Sequence, residues 1–256
     1  MGVTEATPGA RSAWQASAAA LGVATIVVMA GWGGPRTGTA VADLAAVVTA
    51  LGGAAVLLRA SNRPGRTTAR WRLLGVAMVL WGAGEVLWSW DEVVLGREVP
   101  FPSLADVAYL GAVPFAVAGL LAFARGTRAR IRVRTVLDGC LVASSLLFIT
   151  WALVLGPVWR SDAGSPWANA ISVAYPVTDL VLVVLALVLV QWSATGQRAA
   201  LHTAASGLVV MAVTDSAFTW LTNAGTYSST NPITMLWPAS AVTSSSCWWR
   251  PATTWP

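Results

Sequence analysis

The sequence predicts an all-α fold: a polytopic helical membrane bundle with seven clear transmembrane helices, an incomplete eighth and a cytoplasmic N-terminus. Three observations predict it. Hydrophobic residues make up 56% of the chain and charged residues only 11%, with a mean hydropathy of +0.65; a soluble domain carries about a quarter charged residues. Apolar runs of about 20 residues recur, the length that a hydrocarbon core of about 30 Å demands of a helix rising about 1.5 Å per residue. The arginines gather in two short loops between those runs, as they do in cytoplasmic loops.

The elements follow in order. Residues 1–13 read as a polar N-terminal tail, and 14–238 as the transmembrane helical domain. The first span is expected at 14–32 and the second at 38–58, across the turn Gly33-Gly34-Pro35-Arg36. The first apolar run leads directly into further spans without a clear cleavage site, so a cleaved signal peptide is not expected. A basic loop with Arg59, Arg63, Arg66, Arg70 and Arg72 precedes the third span, 71–90. A mixed loop, Asp91–Pro102, leads to the fourth, 103–124. A second basic loop holds Arg125, Arg128, Arg130, Arg132 and Arg134, and spans at 135–158, 169–192 and 201–222 follow.

The eighth span, 232–247, is partial. It begins well at Asn231–Pro238, but SAVTSSSCWWRPATTWP follows, with serines, two prolines and no apolar run. About 15 residues remain before Trp248, under the usual minimum of about 17. Residues 239–256 therefore read as an atypical tail, of the kind truncation or a shifted reading frame leaves.

Alternating the loops across the bilayer fixes an orientation. With the N-terminus inside and Arg250 of the tail left out, the inner side holds Arg11, five arginines in each basic loop and Arg198, twelve in all; the outer side holds Arg36, Arg97 and Arg160. Twelve against three is a positive-inside bias. Trp32, Trp88, Trp90, Trp159, Trp167 and Trp220 then fall at the outer interface and Trp14, Trp71 and Trp192 at the inner one, where aromatic belts belong. The expected location is the inner (plasma) membrane, multi-pass, with the basic loops cytoplasmic. The net charge of +5 resides in those loops, so no nucleic-acid partner is inferred from it. All 16 basic residues are arginine, which excludes lysine Schiff-base chemistry such as a retinal pigment.

A repeat runs through the chain. Val113-Pro114, Tyr175-Pro176 and Trp237-Pro238 are spaced by 62 residues, each several residues into an outside-to-inside span. Glu85-x-x-Trp88-x-Trp90 and Asp215-x-x-Phe218-x-Trp220 share one spacing. Three related helical hairpins after a more divergent first pair account for both, an arrangement used by transporters and by sensors.

Six acids lie in or at the spans: Asp43, Glu85, Asp106, Asp138, Asp179 and Asp215. Ser103-x-x-Asp106 and Thr135-x-x-Asp138 have the spacing of a helix N-terminal capping box. Asp43, near a span's outer mouth, can reach water. Glu85, Asp179 and Asp215 have no basic residue deep in any span to neutralise them, and Asp179 sits close to the middle of its span. Each must be protonated, hydrogen-bonded to a partner such as Tyr109, Tyr175, Thr178 or Ser216, or bound to a cation; an ionised group there costs about 2.5–3.5 kcal/mol. Interhelical glue, worth about 0.6 kcal/mol per bond, and a ligand, proton or cation site in the outer half of the bundle both remain open. Pro114 and Pro176 free a carbonyl one turn earlier and kink their helices, either as a tolerated bend or to line a pocket beside Asp179. Gly82, Gly84 and the alanines of the first two spans suit close helix packing.

Enzyme chemistry finds no motif. The single histidine, His202, starts a helix near the inner face with no Gly-x-Ser elbow, and no phosphate loop or metal-ligand spacing occurs. Asp215 lies in Ala-Val-Thr-Asp, unlike the Gly-x-Gly-Asp loop of an intramembrane aspartyl protease. Cys140 and Cys247 have neither disulfide nor metal spacing. No catalytic residue, metal or cofactor is expected.

Three stretches carry a family resemblance: PSLADVAYLGAVPFAVAGLL (Pro102–Leu121), LDGCLVASSLLFITW (Leu137–Trp151) and AYPVTDLVLVVLAL (Ala174–Leu187). Together they resemble the N-terminal multi-span sensor region of actinobacterial cyclic-di-GMP signalling proteins, over roughly residues 70–238. In that family the spans precede cytoplasmic GGDEF and often EAL domains, which make and degrade the messenger. Neither motif is present here, so the resemblance implies a sensory input domain without its output enzyme. It implies no catalytic residue. Within its motifs Asp106, Tyr109, Pro114, Asp138, Tyr175, Pro176 and Asp179 are the candidates for a sensory core, joined from the residue reading by Glu85 and Asp215. The expected partners are the lipid bilayer, an unidentified small ligand, proton or cation, and a second copy through the spans. A small-solute or proton-coupled transporter or channel and a non-catalytic membrane scaffold are the alternatives.

Overall fold

The computed structural model describes residues 8–62, 68–124, 133–160, 165–193 and 195–246, and among these the chain is all-helical. Helix α1 (Pro8–Ala30) turns into α2 (Gly34–Ser61) through glycines at positive φ, Gly31 at 64° and Gly33 at 80°, a conformation that side chains resist. Pro35 opens α2, where a missing N–H costs nothing. Helix α3 (Thr68–Ser89) runs on through a π-turn, Trp90–Val94, in which the Leu95 N–H donates to the Trp90 carbonyl at 3.0 Å. Helix α4 spans Leu104–Ala124.

Helix α5 (Val133–Thr150), a second π-turn (Trp151–Leu155) and α6 (Gly156–Arg160) follow one another without a break. Pro157 supplies the reason for that π-turn: it has no N–H for the carbonyl four residues back, and its ring crowds that carbonyl. The Gly156 N–H instead reaches Trp151, five residues back. Helix α7 (Pro166–Trp192) is capped by Ser165, whose hydroxyl accepts the Ala168 N–H at 3.1 Å. Helix α8 (Thr195–Asn223), a 3₁₀ turn (Pro232–Met235) capped by Asn231, and α9 (Leu236–Ser245) complete the order.

Five of these helices are long and apolar enough to cross a membrane: Gly34–Ser61, Ala69–Val94, Leu104–Phe123, Pro166–Trp192 and Arg198–Thr222. The apolar stretches in α1 and α5, Trp14–Ala30 and Gly139–Leu153, are shorter. A helix occupies each expected segment, and the bounds differ: α1 begins at Pro8, inside the expected tail, and Arg59, Arg70 and Arg72 of the expected first basic loop are helical. The third helical path extends to Val94, so Asp91 and Glu92 are helical rather than part of a loop. Helix α5 starts at Val133, which puts Thr135 inside the helix and not at an N-cap. The last segment is a 3₁₀ turn followed by a ten-residue helix.

The bundle is knit by small residues. Helix α2 buries Ala42, Ala45, Ala46, Ala50, Ala54 and Ala60 against its neighbours. A side chain at Gly82 would meet the Leu51 side chain at 2.6 Å, and one at Gly84 the Tyr109 ring at 2.5 Å, so α3 approaches α2 and α4 as only glycine allows. Buried hydroxyls return to their own helix: Thr49 donates to the Ala45 carbonyl and Thr214 to that of Val210. Helix α9 fills the space between α2 and α8 and also touches α1. At one end an apolar core joins Leu57, Trp71, Leu120, Phe123, Leu189 and Leu201, with the Arg70 guanidinium 4.4 Å from the Phe123 ring centre. At the other end Trp32, Trp90, Trp167 and Trp220 project outward, and large apolar side chains cover the flanks, as lipid contact requires.

Candidate functional site

Carboxyl groups from five helices meet at the tryptophan-ringed end of the bundle. The outermost is Asp106, in the first turn of α4. Its Oδ2 accepts the Ser103 N–H at 2.6 Å and the Ser103 hydroxyl at 3.2 Å, the carboxylate half of the capping box that the spacing implied. Its Oδ1 accepts the Tyr175 hydroxyl of α7 at 2.6 Å. Asp106 thus ends one helix and ties it to another.

Glu85 is buried on α3 and is held by Trp81 on its own helix and Tyr109 on α4, whose rings lie 4.7 Å apart. Asp43 on α2 faces Glu85 and Glu92 and lies within hydrogen-bonding reach of Ser89. Glu92 accepts the Trp88 indole N–H at 2.8 Å on one oxygen and the Ser229 hydroxyl on the other. Nearby, burial and the Glu92 charge push the Tyr227 phenol above its ordinary value, so this loop residue stays neutral. Phe218 packs edge-on against Tyr227, Trp88 and Trp237 and joins the aromatic wall.

Asp179 and Asp215 form the deepest part. Asp179 is midway along α7, next to the buried Pro176, and Asp215 is buried on α8. Their carboxyl groups lie within hydrogen-bonding reach of each other. The Trp237 indole N–H, at the start of α9, donates to Asp215 Oδ1 at 2.6 Å. The Oδ2 atoms of Asp179 and Asp43 are buried and receive no N–H or hydroxyl donor among the described residues. No arginine enters the cluster there either; the ion pair among these residues is Arg97–Asp91 at 2.5 Å, with the arginine exposed outside the helices.

The structure therefore gathers Glu85, Asp106, Tyr109, Tyr175, Pro176, Asp179 and Asp215 from the expected set, with Asp43 beside them. Of the expected donors, Tyr109 meets one of the three deep acids, and Tyr175 and Thr178 go elsewhere. Tyr109 serves Glu85, Tyr175 serves Asp106, and Thr178 donates to its own helix at the Tyr175 carbonyl. Asp179 and Asp215 turn to each other. Pro114 is exposed and stands apart. The Asp138 side chain lies outside the described residues, but its neighbour Gly139 packs on Val188. Val188 is nine residues beyond Asp179 along α7, about 14 Å at ~1.5 Å per residue, so Asp138 belongs to the other end.

Sequence reasoning passed over Glu92, Trp81, Trp88, Ser229 and Trp237. One signal was available: Glu85, Trp88, Ser89 and Glu92 recur at i, i+3, i+4 and i+7, one face of a continuing helix. Among the described residues no three His, Cys, Asp or Glu side chains converge as metal ligands. An open groove of about 650 Å³ between α5 and α7 is a separate feature; Leu147, Phe148, Trp151, Val173 and Val177 line it, and it holds no carboxyl. The arrangement of paired, buried carboxyls is suited to holding protons. Compared with known protein families, with curated proteins and with solved structures, the chain matches none.

Proposed function

We propose that the chain is a multi-pass inner-membrane protein with seven spans and a partial eighth, its N-terminus and basic loops cytoplasmic. In this reading it is the sensory input region of a cyclic-di-GMP signalling protein. One observation supports the sensory role above the others: carboxyls from α2, α3, α4, α7 and α8 converge at one end of the bundle with no described arginine to neutralise them. Such a concentration of acid is costly in lipid and is retained where it binds something. A proton, cation or small ligand that favours one protonation or packing state shifts the population of helix arrangements. The shift travels down α7, α8 and α9 toward the basic-loop end, where an output domain would receive it. The choice of messenger pathway rests on the resemblance of Pro102–Leu121, Leu137–Trp151 and Ala174–Leu187 to that family.

A proton-coupled transporter is the second reading, favoured by the Asp179–Asp215 pair midway along α7 beside a buried proline. Two experiments separate the readings. Proteoliposomes should show no proton or solute flux; flux that disappears in Asp179→Asn would instead establish transport. The coding sequence downstream, read in all frames, should contain a GGDEF-type domain; a continuous region without one removes the cyclic-di-GMP lineage.

A further inference from the structure

The seam between α7 and α8 is apolar at the arginine-rich end, where Leu182, Ala186 and Leu189 share a core with Leu201 and Ala205. Toward the tryptophan end it meets the Asp179–Asp215 pair. Two carboxyl groups share a hydrogen bond only while at least one proton remains between them. Asp215 has a second donor in Trp237, which belongs to α9, so Asp215 stays with the α8–α9 hairpin whatever its partner does. Asp179 has no such support: its Oδ2 is buried, and among the described residues no N–H or hydroxyl reaches it. With the shared proton gone, Asp179 and Asp215 would face each other as two carboxylates in a closed seam, and Asp179 would have neither water nor a described donor.

The groups facing the pair offer no relief. Glu85 approaches from α3, Tyr109 and Asp106 from α4, and Tyr175 from α7, with Asp43 of α2 behind Glu85. On α6, which packs against α7, Arg160 is exposed and its Nε donates to the Gly156 carbonyl at 3.0 Å. Loss of the shared proton and a closed seam are therefore incompatible.

We propose that a proton shared by Asp179 and Asp215 latches α7 to the α8–α9 hairpin, and that its loss opens the seam at the tryptophan end and admits water. The ligand is the proton itself, and the moving parts are α7 on one side and α8 with α9 on the other. This requires only the helical bundle and not the messenger pathway proposed above.

The test places nitroxide labels at Ala170→Cys on α7 and Thr222→Cys on α8, both exposed positions, in a full chain also carrying Cys140→Ala and Cys247→Ala. In nanodiscs the label–label distances should form a short population at low pH and a longer one at high pH. Their ratio should change about tenfold per pH unit, as a one-proton equilibrium requires. Asp179→Asn supplies an amide that donates to Asp215 and cannot lose a proton, so it should hold the short population throughout. A distance distribution constant from roughly pH 5 to 9 in the parent chain overturns the proposal, as does the same transition persisting in Asp179→Asn. The infrared C=O band of a protonated carboxyl gives a second readout in the parent chain. It should weaken through the same transition, and its absence at low pH would overturn the latch even if the variant does not fold.

Discussion

Asp106 shows how much one side chain can hold in this bundle. One oxygen closes the first turn of α4 through Ser103 and the other takes the Tyr175 hydroxyl across to α7. Removing only the second bond, in Tyr175→Phe, should lower stability by about 1–2 kcal/mol, because the cap persists. Asp106→Ala removes the cap and also strands a partly buried phenol, so its loss should be roughly 2–4 kcal/mol. Chemical unfolding of both variants in the same micelles checks the order, and equal losses would show that the cap contributes nothing. The cap was legible from Ser103-x-x-Asp106 because a local motif needs only local spacing. The Tyr175 bond was not, because it joins residues 69 positions apart and nothing in either segment names the other. The same limit hid Trp237 from Asp215 and Ser229 from Glu92.

Among the elements, contact between helices turns on a few glycines. At Gly84 an added Cβ would meet the Tyr109 ring 2.5 Å away, and Tyr109 is a hydrogen-bond partner of Glu85. Gly84→Val should therefore cost about 1–3 kcal/mol by overpacking and displace the phenol from the carboxyl. Gly111, on α4, has nothing within 4 Å of the same virtual atom, and Gly111→Ala should be neutral or gain up to about 1 kcal/mol. Gly207 is the stricter case, since its Cβ would meet backbone atoms of α9, the Ser244 nitrogen at 2.8 Å and the Ser240 oxygen at 2.9 Å. Backbone cannot swing aside, so Gly207→Ala should separate α9 from α8 and raise hydrogen exchange over residues 236–245. Unchanged exchange there would mean that α9 is not held by this contact. Sequence hydropathy marked the last segment as too short to span, and α9 is short. Its position could not be read in advance, because small residues pack by shape, and shape leaves no trace in a hydropathy profile. The π-turn at Trp151–Leu155 shows how local the cause can be: Pro157 interrupts the regular ladder, and a one-residue expansion carries the helix through it.

The molecule as a whole is polar in two different ways at its two ends. Arginine-rich segments flank an apolar core at one end, and carboxyls with exposed tryptophans occupy the other. Helical class and most segment positions were legible because lipid imposes a length and a composition on every crossing helix. The carboxyl cluster was legible only in part: the acids could be counted, but their convergence depends on which helices are neighbours. The direction of insertion proposed above rests on the arginines, and it decides which compartment the cluster faces. Single cysteines introduced in a chain lacking Cys140 and Cys247 test this with a membrane-impermeant maleimide on intact cells. Gly96→Cys, in the exposed turn after α3, should label from outside, whereas Arg128→Cys, in the second basic loop, should label only after the membrane is opened. Both products should stay with the membrane through alkaline carbonate washing. The reverse labelling pattern would turn the carboxyl cluster toward the cytoplasm, where it would meet internal pH and metabolites. An outward-facing sensor would then be excluded, while the latch between Asp179 and Asp215, which depends only on the α7–α8 seam, would still operate from the other side.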